Sequence, residues 1–91
     1  MLPVKCLLLE TGEVIIGFVK ENYFSYTIID TQACIINIDE GQMNVNLAPW
    51  IPYAKEYTFK INKNKVISCF DARPQLEQNF KVQTGNRERG K

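Results

Sequence analysis

Two short segments carry the side chains best suited to chemistry. The first is Asn22-Tyr23-Phe24-Ser25-Tyr26-Thr27, where aromatic rings are interleaved with amide and hydroxyl groups. The second is Asn62-Lys63-Asn64-Lys65, where two amides alternate with two ammonium groups. Single-stranded nucleic acid is held by stacking bases on aromatic rings and by placing cations on phosphates. On that chemistry Tyr23 and Tyr26 are candidate stacking rings. Asn62 and Asn64 are candidate partners for base edges, Lys63 and Lys65 are candidate phosphate contacts, and Thr27 is a candidate contact by its place in the first segment. Structural duties compete with this reading. Packing alone favours aromatics in strands and at their rims, and asparagine suits a type I′ hairpin turn because it tolerates positive φ.

Catalysis finds little support. The chain has no histidine, which removes histidine acid–base work, serine or cysteine triads built on it, and most zinc or haem sites. No glycine-rich phosphate loop occurs. The carboxylates are scattered, and Asp39-Glu40 before Gly41 reads as a solvated turn. No enzyme activity, cofactor or metal is expected. Cys6, Cys34 and Cys69 are odd in number, lack a CxxC pair and sit in apolar runs. They are expected to be buried free thiols rather than a disulfide framework. The opening MLPVKCLLLE is too short an apolar run for a signal peptide, and no stretch approaches the length of a membrane span. A cytoplasmic setting with no membrane partner is the expectation.

These side chains need a scaffold, and the composition bounds it. Ninety-one residues with 45% apolar and 23% charged side chains and a net charge of +1 describe one small folded domain. Neither a strongly basic nucleic-acid clamp nor an acidic tail protein fits that balance. Charge is weakly segregated. Residues 1–80 hold seven Lys/Arg against nine Asp/Glu, and residues 81–91 hold four against one.

Short apolar runs imply strands over residues 4–10, 13–21, 24–30, 33–39, 42–48, 56–61 and 65–70. The runs 24–30 and 33–39 read as two strands or as one long bent strand. Gly17, inside the second run, marks a bulge or sharp bend. Met43, Val45 and Leu47 alternate with Gln42, Asn44 and Asn46, which predicts a half-buried strand. Tyr57, Phe59 and Ile61 are expected inward on the next. Pro49 and Pro52 break the pattern between them. Pro74, Leu76 and Phe80 predict a short helix near 74–81. Residues 83–91, with no apolar side chain, are expected to form a flexible polar tail. Residues 1–82 would be the folded domain. Such an array implies a small barrel, marginal as a lone subunit and relieved by association through strand edges.

Residues 4–19, VKCLLLETGEVIIGFV, resemble the first motif of the Sm/LSm family: an apolar strand, a glycine turn at Gly12, and an apolar strand broken by Gly17. Residues 59–70, FKINKNKVISCF, resemble its second motif. The longer middle section and the Pro74–Phe80 segment are similar to divergent Sm-like proteins of bacteriophages. The resemblance covers roughly residues 4–70. It implies a mainly β fold, a strongly bent five- to six-stranded SH3-like or Sm-like barrel with a short C-terminal helix.

The resemblance further implies a homo-oligomeric ring joined by pairing of residues 56–61 with residues 65–70 of the next subunit. Tyr57, Phe59, Ile61, Val66, Ile67 and Phe70 would form that interface. It also implies single-stranded RNA binding by the two loops quoted above. Tyr26 keeps a stacking ring there. Tyr23 stands where the family has Asp, Thr27 where it has Asn, and Asn62-Lys63-Asn64-Lys65 where it has Arg-Gly-x-Asn. Arg87, Arg89 and Lys91 would add a salt-screened attraction. The alternative is a structural or protein-interaction ring without RNA, for which Trp50 and Tyr53 are candidate contacts.

Overall fold

The computed structural model describes residues 2–89, with side chains through residue 85. The order is β1 (Val4–Leu9), β2 (Val14–Glu21), β3 (Ser25–Asp39), β4 (Gln42–Pro49), β5 (Phe59–Asn62), a 3-10 turn (Lys63–Lys65), β6 (Val66–Asp71) and α1 (Pro74–Arg89). The fold is mainly β, as expected. All six strands belong to one antiparallel sheet ordered β4-β3-β2-β1-β6, with β5 paired to β3. Among the described residues β5 pairs only with β3 and β6 only with β1, so the sheet is not closed.

The runs 24–30 and 33–39 form one strand of 15 residues. Its first part pairs with β5 and β2, and its second part with β4. Between the two parts the pairing with β2, which continues on both sides, has a bulge. Ile16 pairs with Gln32 and Phe18 with Ile29, so β3 carries one extra residue there. Asp30 absorbs it at φ 58°, a conformation that Asp tolerates better than most residues. Gly17 lies opposite. A Cβ at that position would stand 2.5 Å from Ile28 Cγ1 and 2.7 Å from the Ile29 carbonyl oxygen. Close approach of β3, and not positive φ, therefore requires glycine here.

Alternation along β1 and β2 buries both faces of the sheet. On one face Leu7, Leu9, Ile15, Val19 and Ile28 form a core, with Phe59, Ile61 and Val66 packed against it. On the other, Val4, Cys6 and Ile16 pack with Phe80 of α1. Phe80 also meets Phe18 edge-on at 5.2 Å between ring centroids. The i, i+4 pair Leu76 and Phe80 is thus the face that docks the helix.

The helix is longer than expected. It runs to Arg89, so residues 83–89 continue it instead of forming a tail. Thr84 is buried, and its hydroxyl donates to the Phe80 carbonyl at 3.0 Å. The Arg87 and Arg89 side chains and Lys91 lie outside what the structure describes. The strand β4 also departs from expectation. Leu47 is half-buried, but Met43 and Val45 are exposed, because none of the described residues covers their face. Among the described residues no helix is long and apolar enough to cross a membrane.

Candidate nucleic-acid interface

The β2–β3 turn is built by Asn22. Its backbone N–H donates to the Ser25 carbonyl at 2.8 Å. Its side-chain amide donates to Ser25 Oγ at 3.2 Å and to Thr27 Oγ1 at 2.9 Å. This clamp turns the next two side chains outward. Tyr23 is 84% exposed and Phe24 77%, with their rings in edge contact at 4.4 Å. The expected competing duty, packing at the core or rim, therefore fails for Tyr23 and holds for Tyr26, which packs against the core from a half-buried position.

The second segment meets the first. Asn62 pairs with Ser25, and the Lys63 backbone N–H donates to the Phe24 carbonyl at 2.9 Å. Residues 62–65 do not form a hairpin turn, because β5 and β6 pair with different strands and the link is a 3-10 turn. Asn62 has φ −62°, so no left-handed asparagine is used at this position. The Lys63 ammonium lies 5.4 Å from the centre of the Tyr26 ring, within cation–π range. It also pairs with Glu21 at 2.6 Å. That hydrogen bond and the opposite charge raise the Lys63 pKa and hold the Glu21 carboxyl below its ordinary range.

The two lysines part company. Lys65 reaches Glu10 at 3.0 Å, and the Glu10 N–H donates to the Lys65 carbonyl. It therefore faces the β1–β2 turn, whereas Lys63 faces the β2–β3 turn. Asn62 and Asn64 are exposed. Thr27 already accepts a hydrogen bond from Asn22. The group brought together is Tyr23, Phe24, Tyr26, Asn62 and Lys63, with Glu21 as a counter-ion. Asn22 and Phe24 belong to the first segment read from sequence, which assigns neither a role of its own, and Glu21 lies outside it. The adjacent Tyr-Phe pair was the readable sign of an exposed ring, since alternation in a strand cannot bury both neighbours on one face.

The residues assigned to a subunit interface divide. Phe59, Ile61 and Val66 pack against their own core, and Tyr57 is half-buried with its carbonyl accepting from the Thr31 N–H at 2.9 Å. Ile67 and Phe70, on β6, are exposed. Trp50 and Tyr53 are separated as well. The Trp50 indole packs edge-on against Phe59 at 5.2 Å and donates to Glu13 Oε2 at 3.2 Å, while Tyr53 stands in solvent.

The cysteines carry no disulfide. Cys6 is buried, and Cys34 and Cys69 are half-buried, less than expected. A hydrogen bond between the Cys6 and Cys34 thiols lowers the Cys34 pKa and raises that of Cys6.

No protein-family model matches the chain, and no curated protein matches it.

Proposed function

We propose that the chain is a non-catalytic, Sm-like module that self-associates and binds single-stranded RNA at the meeting point of the β2–β3 turn and the β5–β6 link. One observation carries this reading. Two segments separated by some 40 residues of sequence converge on one surface, where exposed aromatic rings adjoin a lysine and an amide. Tyr23 and Phe24 would stack on bases, Asn62 would contact a base edge, and Lys63 would exchange Glu21 for a phosphate. Self-association is supported by the single-sided pairing of β5 and β6, which leaves each with an open edge, and by the exposed Ile67 and Phe70. The SH3-like or Sm-like barrel is the finer form of the open sheet this reading assumes, with closure made by neighbouring copies. Free thiols suit a reducing, cytoplasmic setting.

The test is binding of labelled oligo-U and oligo-A at low and moderate salt, with particle mass measured on the same sample. Tyr23→Ala with Phe24→Ala is expected to weaken binding at least tenfold without loss of fold, since each stacked base contributes roughly 1–3 kcal/mol. Unchanged affinity in that variant overturns the site. Ile67→Asp is expected to reduce particle mass, whereas Ile61→Asp would unfold the subunit because Ile61 packs on its core. A second reading, a protein-interaction assembly with no RNA role, is favoured by one observation. Both Lys63 and Lys65 are already paired with carboxylates, which reduces the free positive charge on which RNA affinity largely rests. Wild-type protein that ignores both oligonucleotides would select it.

A further inference from the structure

The β3–β4 hairpin holds more apolar surface than the described residues cover. Its pairing runs from Gln32 opposite Pro49 to Asp39 opposite Gln42 without a register shift. The loop has two residues, Glu40 and Gly41, at φ 51° and 80°, as a type I′ turn requires. Cys34 and Leu47, paired at the base, pack with the cluster under α1. Farther out on the same face, Ile36 pairs with Val45 and Ile38 with Met43. These four are 58%, 39%, 76% and 67% exposed. The strand β4 is also a free edge of the sheet among the described residues. Its eight residues, QMNVNLAP, bear no charge. Natural edge strands are blunted by lysine, proline, a bulge or an inward charge. Among these devices β4 has only Pro49, at its last position.

We propose that β4 pairs antiparallel with β4 of a second copy of this chain, about a twofold axis at Val45. The sequence is self-complementary in that register. Val45 meets its own mate, Met43 meets Leu47, Asn44 meets Asn46, and Gln42 meets Ala48. A twofold axis normal to the sheet keeps both apolar faces on the same side. Apolar residues therefore oppose apolar residues on one face, and on the other Asn44 opposes Asn46, with only the outer Gln42–Ala48 pair mixed, which is a favourable cross-strand arrangement. The acidic Asp39-Glu40 turns of the two copies fall at opposite ends of the four-stranded ribbon, so like charges stay apart. A foreign peptide would have to match this alternation independently, whereas a second copy supplies it by symmetry. The edge is about 26 Å long at the usual strand rise. Pairing one edge buries less than the roughly 800 Å² per partner of a standard stable interface, so the dimer is concentration-dependent.

Two measurements test this. Particle mass by sedimentation velocity is expected to double over a concentration series, and Val45→Lys is expected to abolish that doubling. In Val45→Cys, the two new thiols would sit on strands whose opposed Cα atoms are about 4.5–5.5 Å apart, within disulfide range. Mild oxidation should then trap a dimer on a non-reducing gel that the unsubstituted chain does not give. Doubling that survives Val45→Lys, or a Val45→Cys chain that stays unlinked, overturns the proposal and points to another occupant of this edge. The trap also decides the matter if Val45→Lys fails to fold. Ile67→Asp should leave the trap intact, so failure of the β5–β6 association and failure of the β4 pairing give different results.

Discussion

Replacing Gly17 with alanine tests the bend on which the fold turns. The added Cβ would meet Ile28 Cγ1 at 2.5 Å, the Ile29 carbonyl oxygen at 2.7 Å and Ile28 Cδ1 at 3.0 Å. Two of these atoms belong to a fully buried side chain and one to the backbone of the paired strand. None can retreat without moving β3. Overpacking a filled core costs about 1–3 kcal/mol, and the backbone contact puts Gly17→Ala at or above the top of that range. For a domain of this size about 3 kcal/mol lowers the melting temperature by roughly 12–24 °C. Gly12→Ala is the control. Gly12 has φ +93° with open space around it, so its cost is only left-handed strain, on the order of 1–2 kcal/mol. Thermal and urea unfolding of both variants give the comparison. Ile28→Ala added to Gly17→Ala should cost less than the sum of the two, because it removes two of the three clashes and leaves the Ile29 carbonyl. A Gly17→Ala chain as stable as Gly12→Ala, or strict additivity with Ile28→Ala, would refute the close-approach account.

Phe80→Ala should destabilise the chain by about 3–5 kcal/mol, the usual range for a buried aromatic, with α1 losing helical signal first by circular dichroism; a loss below about 1 kcal/mol would mean the helix is not docked. The Glu21–Lys63 pair gives a pH dependence. The folded Glu21 pKa is lowered, so its contribution is present above the ordinary carboxylate value of 4.5 and is lost as pH falls through the lowered one. The folded Lys63 pKa is raised, so its part is present below 10.5 and is lost as pH rises through the raised value. Both groups are exposed enough that the effect is small, and Glu21→Gln should flatten the acid limb of a urea-midpoint profile; an identical limb in that variant would reject the pair. Cys34 should alkylate ahead of Cys6 and Cys69, because the Cys6 thiol stabilises its thiolate, while the same contact and then burial raise Cys6, and burial raises Cys69. Peptide mass spectrometry after limited iodoacetamide treatment reads this order, and Cys6→Ala should slow the Cys34 reaction.

What the sequence made legible follows from the range of the interactions involved. Strand positions are local, since alternation and glycine breaks are written within a few residues, and all the expected runs have counterparts in the structure. Gly17 could be read as a bend, but its cause lies in Ile28 and Ile29 on another strand. Alternation of Met43, Val45 and Leu47 marks a face correctly and says nothing of what covers it. Leu47 reaches the cluster under α1, while Met43 and Val45 extend beyond it. The same limit explains Asn62-Lys63-Asn64-Lys65. Its composition suits a hairpin turn or a 3-10 link equally, and the choice is made by β5 and β6 having different partners. Lys63 and Glu21 are 42 positions apart, and Lys65 and Glu10 are 55, so nothing in either motif announces a counter-ion. That long-range pairing matters for function. A lysine already held by a carboxylate gives less to a phosphate than a free one, so the proposed RNA recognition would rest more on the exposed rings of Tyr23 and Phe24 than on the lysines. If the chain binds RNA, the aromatic variant should therefore lose more affinity than Lys63→Ala, and the salt dependence should be shallow.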